Sequence, residues 1–190
     1  MTSVTLCYKY FMNKTEFTKR CIADALFELL KVKDYHDISV KDIVEKAGFS
    51  RMSYYRNFKS YDEVLDYFLD SHFFETYQRK KVSFDIKHVK NAIHLFKLSL
   101  EDDLRREIDD VFVKQGLEHI IFFNTRKHIL AASNDERRYA DLFISGGFNE
   151  IWYLWVLNGH KETPEEIIKQ LSEQIDEDLL KIFEETATEK

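Results

Sequence analysis

Residues 50–59 read SRMSYYRNFK, which places two arginines, an amide, two serines and two tyrosines within ten positions. An arginine guanidinium can bond guanine O6 and N7 as a fork. An asparagine amide can pair with adenine or hold a phosphate, and tyrosine hydroxyls reach phosphate oxygens. If a helix starts at Arg51, Phe49 and Phe58 turn inward, while Arg51, Met52, Tyr55 and Arg56 turn largely outward with Ser53 and Asn57. Ser50 can cap that helix, and the helix N-terminus offers N–H groups to a phosphate. Lys59 lies just beyond the helix end, as a flexible charge near a nucleic-acid backbone. The plainer reading is a helical corner with a solvated polar face, since such shapes also occur in proteins that never touch DNA.

The flanking segments show how such a helix would be positioned. Ile22, Ala25, Leu26 and Leu29 recur at the spacing of one helix face, which predicts a helix over 18–33 with Thr18 as its N-cap. Ser39 and Asp42 form a capping-box pattern ahead of a short helix whose apolar face is Val40, Ile43, Val44 and Ala47, with Lys41 on its outer side. Gly48 then stands where a helix ends in the left-handed conformation. Two short helices separated by about three residues, one of them glycine, have the form of a helix-turn-helix over 39–58. Ser60 and Glu63 make a second capping box and open a long fourth helix. Five further helices are expected over 87–99, 102–114, 117–131, 135–158 and 164–186. Ser133 or Asn134 is expected to cap the eighth helix, and Thr163 with Pro164 the ninth.

Composition agrees with an all-α chain of about nine helices. The 190 residues include one proline and five glycines, too few turn residues for a strand-rich fold. The net charge of −6 hides an asymmetry. Residues 1–60 hold 11 Lys and Arg against 7 Asp and Glu, a net of +4, and residues 61–190 hold 17 against 27. A basic beginning on an acidic chain points to nucleic acid at that end.

Cys7 and Cys21 lack metal-ligand spacing and suggest a reducing compartment, so a cytoplasmic protein is expected. No apolar run reaches membrane-span length, and the N-terminus lacks the form of a secretory signal. Met12 offers an alternative start, so residues 1–11 read as an extension. The seven histidines show no zinc spacing, and no catalytic constellation stands out, so neither an enzyme nor a metal or cofactor is read. Asp102-Asp103 and Asp109-Asp110 read as solvated helix faces.

Residues 18–70 resemble the N-terminal domain of tetracycline-repressor (TetR/AcrR) type transcriptional regulators. The likeness is carried by Thr18, Lys19, Ile22 and Ala25, then Ile38-Ser39-Val40, the turn Ala47 to Ser50, Tyr55 with Phe58 and Lys59, and Asp62-Glu63 with Leu65. The chain departs from the family pattern at four places. Ser53 replaces a threonine, Tyr54 a leucine or phenylalanine, Asn57 a tyrosine or histidine, and Tyr61 a lysine that commonly holds a phosphate. Residues 140–166 are similar to one C-terminal type of this family, through Gly146-Gly147, Trp152, Trp155, Asn158-Gly159 and Thr163-Pro164.

The resemblance implies an arm over 1–17, a DNA-binding domain over 18–62 and a helical ligand-binding and dimerisation domain over 63–190. It implies a regulator, usually a repressor, that a small molecule releases from a near-palindromic double-stranded operator. Thr18, Ser39, Lys41, Ser50, Arg51, Met52, Ser53, Tyr55, Arg56, Asn57 and Lys59 would touch DNA. Phe96, Phe112, Phe122, Phe123, Tyr139 and Phe143 would line an effector cavity. Ile151, Trp155, Ile168, Leu171 and Ile175 would lie in a homodimer interface, where paired glycines let helices approach. The alternative is an all-helical small-molecule or partner-binding protein that keeps the helix-turn-helix shape without binding DNA.

Overall fold

The structure is a computed structural model, and it describes residues 13–79, 89–132 and 138–174. The described residues form nine α-helices and no strand. The chain divides into two compact units, residues 1–75 and 76–190. The division falls later than residue 62 because the fourth helix packs into the first unit.

In that unit α1 spans Lys14–Leu30 and begins earlier than expected. Asn13 is its N-cap, the side chain accepting the Glu16 N–H at 2.9 Å. Thr18 is therefore not the cap. It lies a turn inside the helix, buried, its hydroxyl donating to the Lys14 carbonyl at 2.8 Å. A 3-10 turn over Tyr35–Asp37 leads to α2, Val40–Ala47. The expected capping box is present: Ser39 Oγ accepts the Asp42 N–H, and the Asp42 carboxylate accepts the Ser39 N–H. The Ser39 N–H, with help from Lys33, holds the Asp42 carboxyl well below the usual carboxylate range.

Gly48 ends α2 with φ of 75°, and the Phe49 N–H returns to the Val44 carbonyl. Helix α3 is Arg51–Asn57, capped by Ser50, and α4 is Tyr61–Arg79. At the start of α4, Ser60 Oγ accepts the Glu63 N–H, while Glu63 reaches back to the Lys59 N–H at 2.6 Å.

The first core gathers Ile22, Leu26, Leu30, Ile43, Val64 and Leu65, all essentially without exposure. Phe27 stacks on Phe68 at 4.4 Å, which ties α1 to α4. Burying side chains of this size contributes about 1.5–3 kcal/mol each before entropy is counted.

In the second unit α5 is Val89–Leu100, α6 Asp103–Lys114, α7 Glu118–Ala132, α8 Arg138–Leu157 and α9 Pro164–Gln174. Helix α8 packs on α5, α6 and α7, and α9 packs on α5. Thr163 and Glu166 cap α9 reciprocally, as expected. The caps expected at Ser133 or Asn134, and the end of the ninth helix beyond 174, lie outside the described residues, as do residues 1–12 of the arm expected over 1–17; residues 14–17 of that arm belong instead to α1.

One sequence expectation fails here for a clear reason. Asp109 is not a solvated face but is 1% exposed. Its carboxylate accepts Arg105 Nε at 2.7 and 2.9 Å and Trp152 Nε1 at 2.6 Å. Burial pushes its pKa up to about 6, against the pull of Arg105 and the Trp152 bond. Its neighbour Asp110 is exposed, and Asp102 caps α6.

Candidate nucleic-acid interface

Helix α3 is short, and its position is fixed at both ends. Phe58 is buried after its last turn, and Tyr54 is buried in its middle. Phe49 meets Phe17 of α1 edge-on, with ring centroids 6.4 Å apart. With these anchors inward, the helix has one choice of outer face. Arg51, Met52, Tyr55 and Arg56 are all exposed on it.

Among the described residues, neither Arg51 nor Arg56 forms an ion pair, nor does Lys59. Several other cations of this unit are paired, Lys33 with Asp42 at 2.9 Å, Lys31 with Glu28 at 2.6 Å and Lys41 with Glu45 at 3.7 Å, while Lys14, Lys19 and Lys46 form no ion pair among the described residues. An exposed cation is usually given a carboxylate within one helical turn, because the pair stabilises the helix slightly. Helix α3 holds no acidic residue. Its arginines face solvent.

The remaining predicted residues fall into two groups. Ser39 and Ser50 are N-caps, so their side chains hold helix ends, and their exposure leaves the neighbouring N–H groups open. Ser53 Oγ lies 3.1 Å from Ser50 Oγ. Asn57 is half-buried and gives one amide proton to the Ser53 carbonyl at 2.7 Å, leaving a second proton and the oxygen. Thr18 is buried, with its hydroxyl on the Lys14 carbonyl. Lys46, not singled out in the sequence, is exposed in the last turn of α2. Its signal was a basic residue in the last turn of α2, outside the apolar set Val40, Ile43, Val44 and Ala47.

The two tyrosines that replace family residues have structural roles. The Tyr61 hydroxyl donates to the Ile38 carbonyl at 3.0 Å and so pins α4 to the start of α2. Tyr54 is wholly in the core rather than half in it, and its buried hydroxyl has no hydrogen-bond partner among the described residues. Burial raises its pKa. Tyr35 donates to Asp62 at 3.0 Å, and burial with that bond pushes its pKa up to about 12.

In the second unit the six expected cavity aromatics separate. Phe96 is buried and stacks on Phe148 at 4.8 Å, and Phe112 is fully buried. Phe122 packs edge-on against Trp152 and Tyr153. Phe123, Tyr139 and Phe143 instead stand exposed and line no interior among the described residues. Trp155, expected at a dimer interface, is buried in its own chain, with Nε1 donating to the Glu162 carbonyl at 2.8 Å. Ile151, Ile168 and Leu171 are half-buried, and Ile175 lies outside the described residues. An open groove of about 290 Å³ runs between α8 and α9, lined by Ile151, Leu154, Trp155, Ile167 and Leu171 among others.

Among the described residues no group of three His, Cys, Asp or Glu could hold a metal ion. No helix among them is long and apolar enough to cross a membrane.

The geometry is that of a helix-turn-helix head followed by a separate helical body. The family of bacterial regulatory proteins called tetR matches residues 22–68, and a transcriptional regulator C-terminal region of the same family matches residues 86–177. The chain belongs to the tetR family of transcriptional regulators. It is similar to the HTH-type dhaKLM operon transcriptional activator DhaS of Lactococcus lactis subsp. lactis (strain IL1403), at 34% identity over 64 residues. That match spans 34% of this chain and 34% of the relative's length.

Proposed function

We propose that the first unit binds a DNA operator with α3 in the major groove, and that the protein regulates transcription from it. The observation that carries this reading is the outer face of α3, where Arg51 and Arg56 stand exposed without an ion pair among the described residues. Arg51 lies at the N-terminal end of the helix, the end that meets base edges in helix-turn-helix proteins. Tyr55, Arg56, Asn57 and Lys59 then hold the sugar-phosphate wall, with Lys41 and Lys46 approaching from α2. Selection of bound duplexes from a random pool tests the reading. An enriched near-palindrome with half-sites about 34–36 Å apart, or a multiple of that, is the expected result. Recovery of no sequence above the starting pool would refute it.

The regulatory unit is proposed to be a homodimer, as the palindrome requires. Support comes from α8. Gly146 and Gly147 sit within it, and a Cβ at either would meet nothing within 4 Å in the chain. Two mid-helix glycines cost the helix roughly 2 kcal/mol relative to alanine. Nothing among the described residues requires them, which fits a close approach by a second copy.

We propose as well that a small molecule held in the second unit alters operator binding, with Phe96, Phe112 and Phe122 nearest to its site. Support is the family of the C-terminal region over 86–177. Release from the operator would make the protein a repressor. DhaS is named as an activator, and a reporter gene behind the selected operator, with and without this protein, distinguishes the two.

A further inference from the structure

The turn between α8 and α9 carries a histidine where the backbone favours glycine. His160 has φ of 55°, the one positive value at a residue other than glycine among the described residues. Gly159 before it has φ of 69°. This left-handed conformation costs a residue with a Cβ energy that glycine does not lose. The conformation ends α8, the His160 N–H returning to the Trp155 carbonyl at 2.9 Å. A glycine at 160 would make the same bond, so the turn itself does not call for an imidazole. The surroundings of the ring do. It stands edge-on to Trp155, with centroids 4.3 Å apart. Its Nε2 is buried, has no hydrogen-bond partner among the described residues, and lies 3.6 Å from Asp110 Oδ1 of α6.

We propose that His160 and Asp110 form a proton-operated latch, which fastens the α8–α9 turn to α6 when the imidazole is protonated. A histidine side chain changes charge between about pH 5 and 8. Neutral, it has one N–H to place, and at 3.6 Å Nε2 makes no hydrogen bond to the carboxylate. Protonated, both ring nitrogens donate, and a small closure gives a charge-assisted bond. The carboxylate is available, since Asp110 forms no other ion pair among the described residues. The turn has other charged neighbours. Asp109, one residue back on α6, is held by Arg105 and Trp152. Lys114, one turn along α6, and Lys161 on the turn itself are exposed. Glu162 is the turn's own carboxylate, Glu165 is exposed in the first turn of α9, and Glu166 is bound to the Thr163 N–H. Of the carboxylates, Asp110 alone is within ion-pair distance of the ring among the described residues. The latch acts beyond its own turn. Trp155, against the imidazole, donates to the Glu162 carbonyl and lines the groove between α8 and α9. Fastening the turn steadies the start of α9 and a wall of that groove. The charged pair exists only while the ring holds its proton, so its contribution is present at low pH and lost as pH rises.

The test is thermal unfolding of the full chain at about pH 5.5 and about pH 8, either end of the histidine range. Four proteins are compared: wild type, His160→Asn, Asp110→Asn and the double variant. Asparagine tolerates the left-handed backbone and does not titrate. At the lower pH the two substitutions should be non-additive, with the wild-type midpoint about 2–4 °C above the value the single variants predict. At the higher pH the non-additivity should vanish. The titration of Asp109 is common to all four proteins and cancels in the cycle. Tryptophan emission gives a second readout. An imidazolium against an indole quenches it, so wild-type emission should fall on acidification by an amount that His160→Asn loses. His160→Gly, which that backbone accepts without strain, takes the place of His160→Asn if the latter does not fold. Additivity at both pH values overturns the latch. Equal non-additivity at both would make the contact a fixed one and overturns its control by a proton. An emission change on acidification that is the same with and without His160 overturns it as well.

Discussion

Two helices, α3 in the first unit and α6 in the second, treat arginine in opposite ways. In the first, Arg51 and Arg56 stand on the surface of a helix with no carboxylate of its own. In the second, Arg105 is largely buried, with its Nε on both oxygens of Asp109 and its guanidinium 5.7 Å from the Trp152 ring. The first arrangement leaves charge available to a partner, at little benefit to the fold. The second uses charge to fix the packing of α6 against α8, where water cannot compete. A substitution should therefore affect binding without stability in one unit, and stability in the other.

The largest effect should come from Asp109→Ala. It leaves Arg105 and the Trp152 N–H buried without their acceptor, which typically costs 3–5 kcal/mol. Thermal unfolding should show the second unit melting early. Asp109→Asn keeps an acceptor and should cost less.

The same residue gives a pH dependence. Its folded pKa, about 6, lies above the ordinary value of 3.8. The folded state thus holds the proton more tightly than the unfolded chain. The penalty of ionising Asp109 is absent well below pH 4 and grows as pH rises through about 6, to roughly 2–3 kcal/mol. Relative to Asp109→Asn, the wild type should lose stability between pH 4 and 7. A constant difference between the two across that range would show that Asp109 is not buried as described.

Arg51→Ala should cost about 1–3 kcal/mol of operator binding and flatten the preference at one base pair. Its unfolding free energy should stay within about 0.5 kcal/mol of wild type. Loss of affinity for operator and random DNA by the same factor would make Arg51 a phosphate contact instead.

Tyr54→Phe should be neutral or stabilise the first unit by up to about 1 kcal/mol, since it removes a buried hydroxyl without a partner among the described residues. A clear loss in chemical denaturation would reveal a partner for that hydroxyl. Lys59→Ala should have the smallest effect. It should weaken all sequences about equally and lower the salt slope by about one.

The head was legible in the sequence because its signals are local. Ser39 with Asp42, Gly48, Ser50 and Phe58 each act within a turn of their own position, and each has the expected place. Thr18 failed as a cap because Asn13, five residues earlier, offered its side chain to the Glu16 N–H first. Asp109 was illegible because its partner Trp152 is 43 residues away, and no local pattern separates a buried carboxylate from a solvated one. The exposed aromatics failed for the same kind of reason. Phe123 and Phe143 are indistinguishable by type from Phe96 and Phe112, and only packing decides which face water. The outer face of α3 was readable in composition, but the lack of acidic partners for its arginines required the fold.

The central claim is that the unpaired cations of the first unit meet phosphates and bases. Operator affinity measured against salt, for wild type and for Arg51→Ala with Arg56→Ala, tests it most directly. Between about 50 and 200 mM salt, log K for the wild type should fall linearly with log salt, and the double variant should bind more weakly with a slope shallower by about one, from the lost phosphate contact of Arg56. An affinity indifferent to salt, or a double variant that binds as the wild type does, would contradict it.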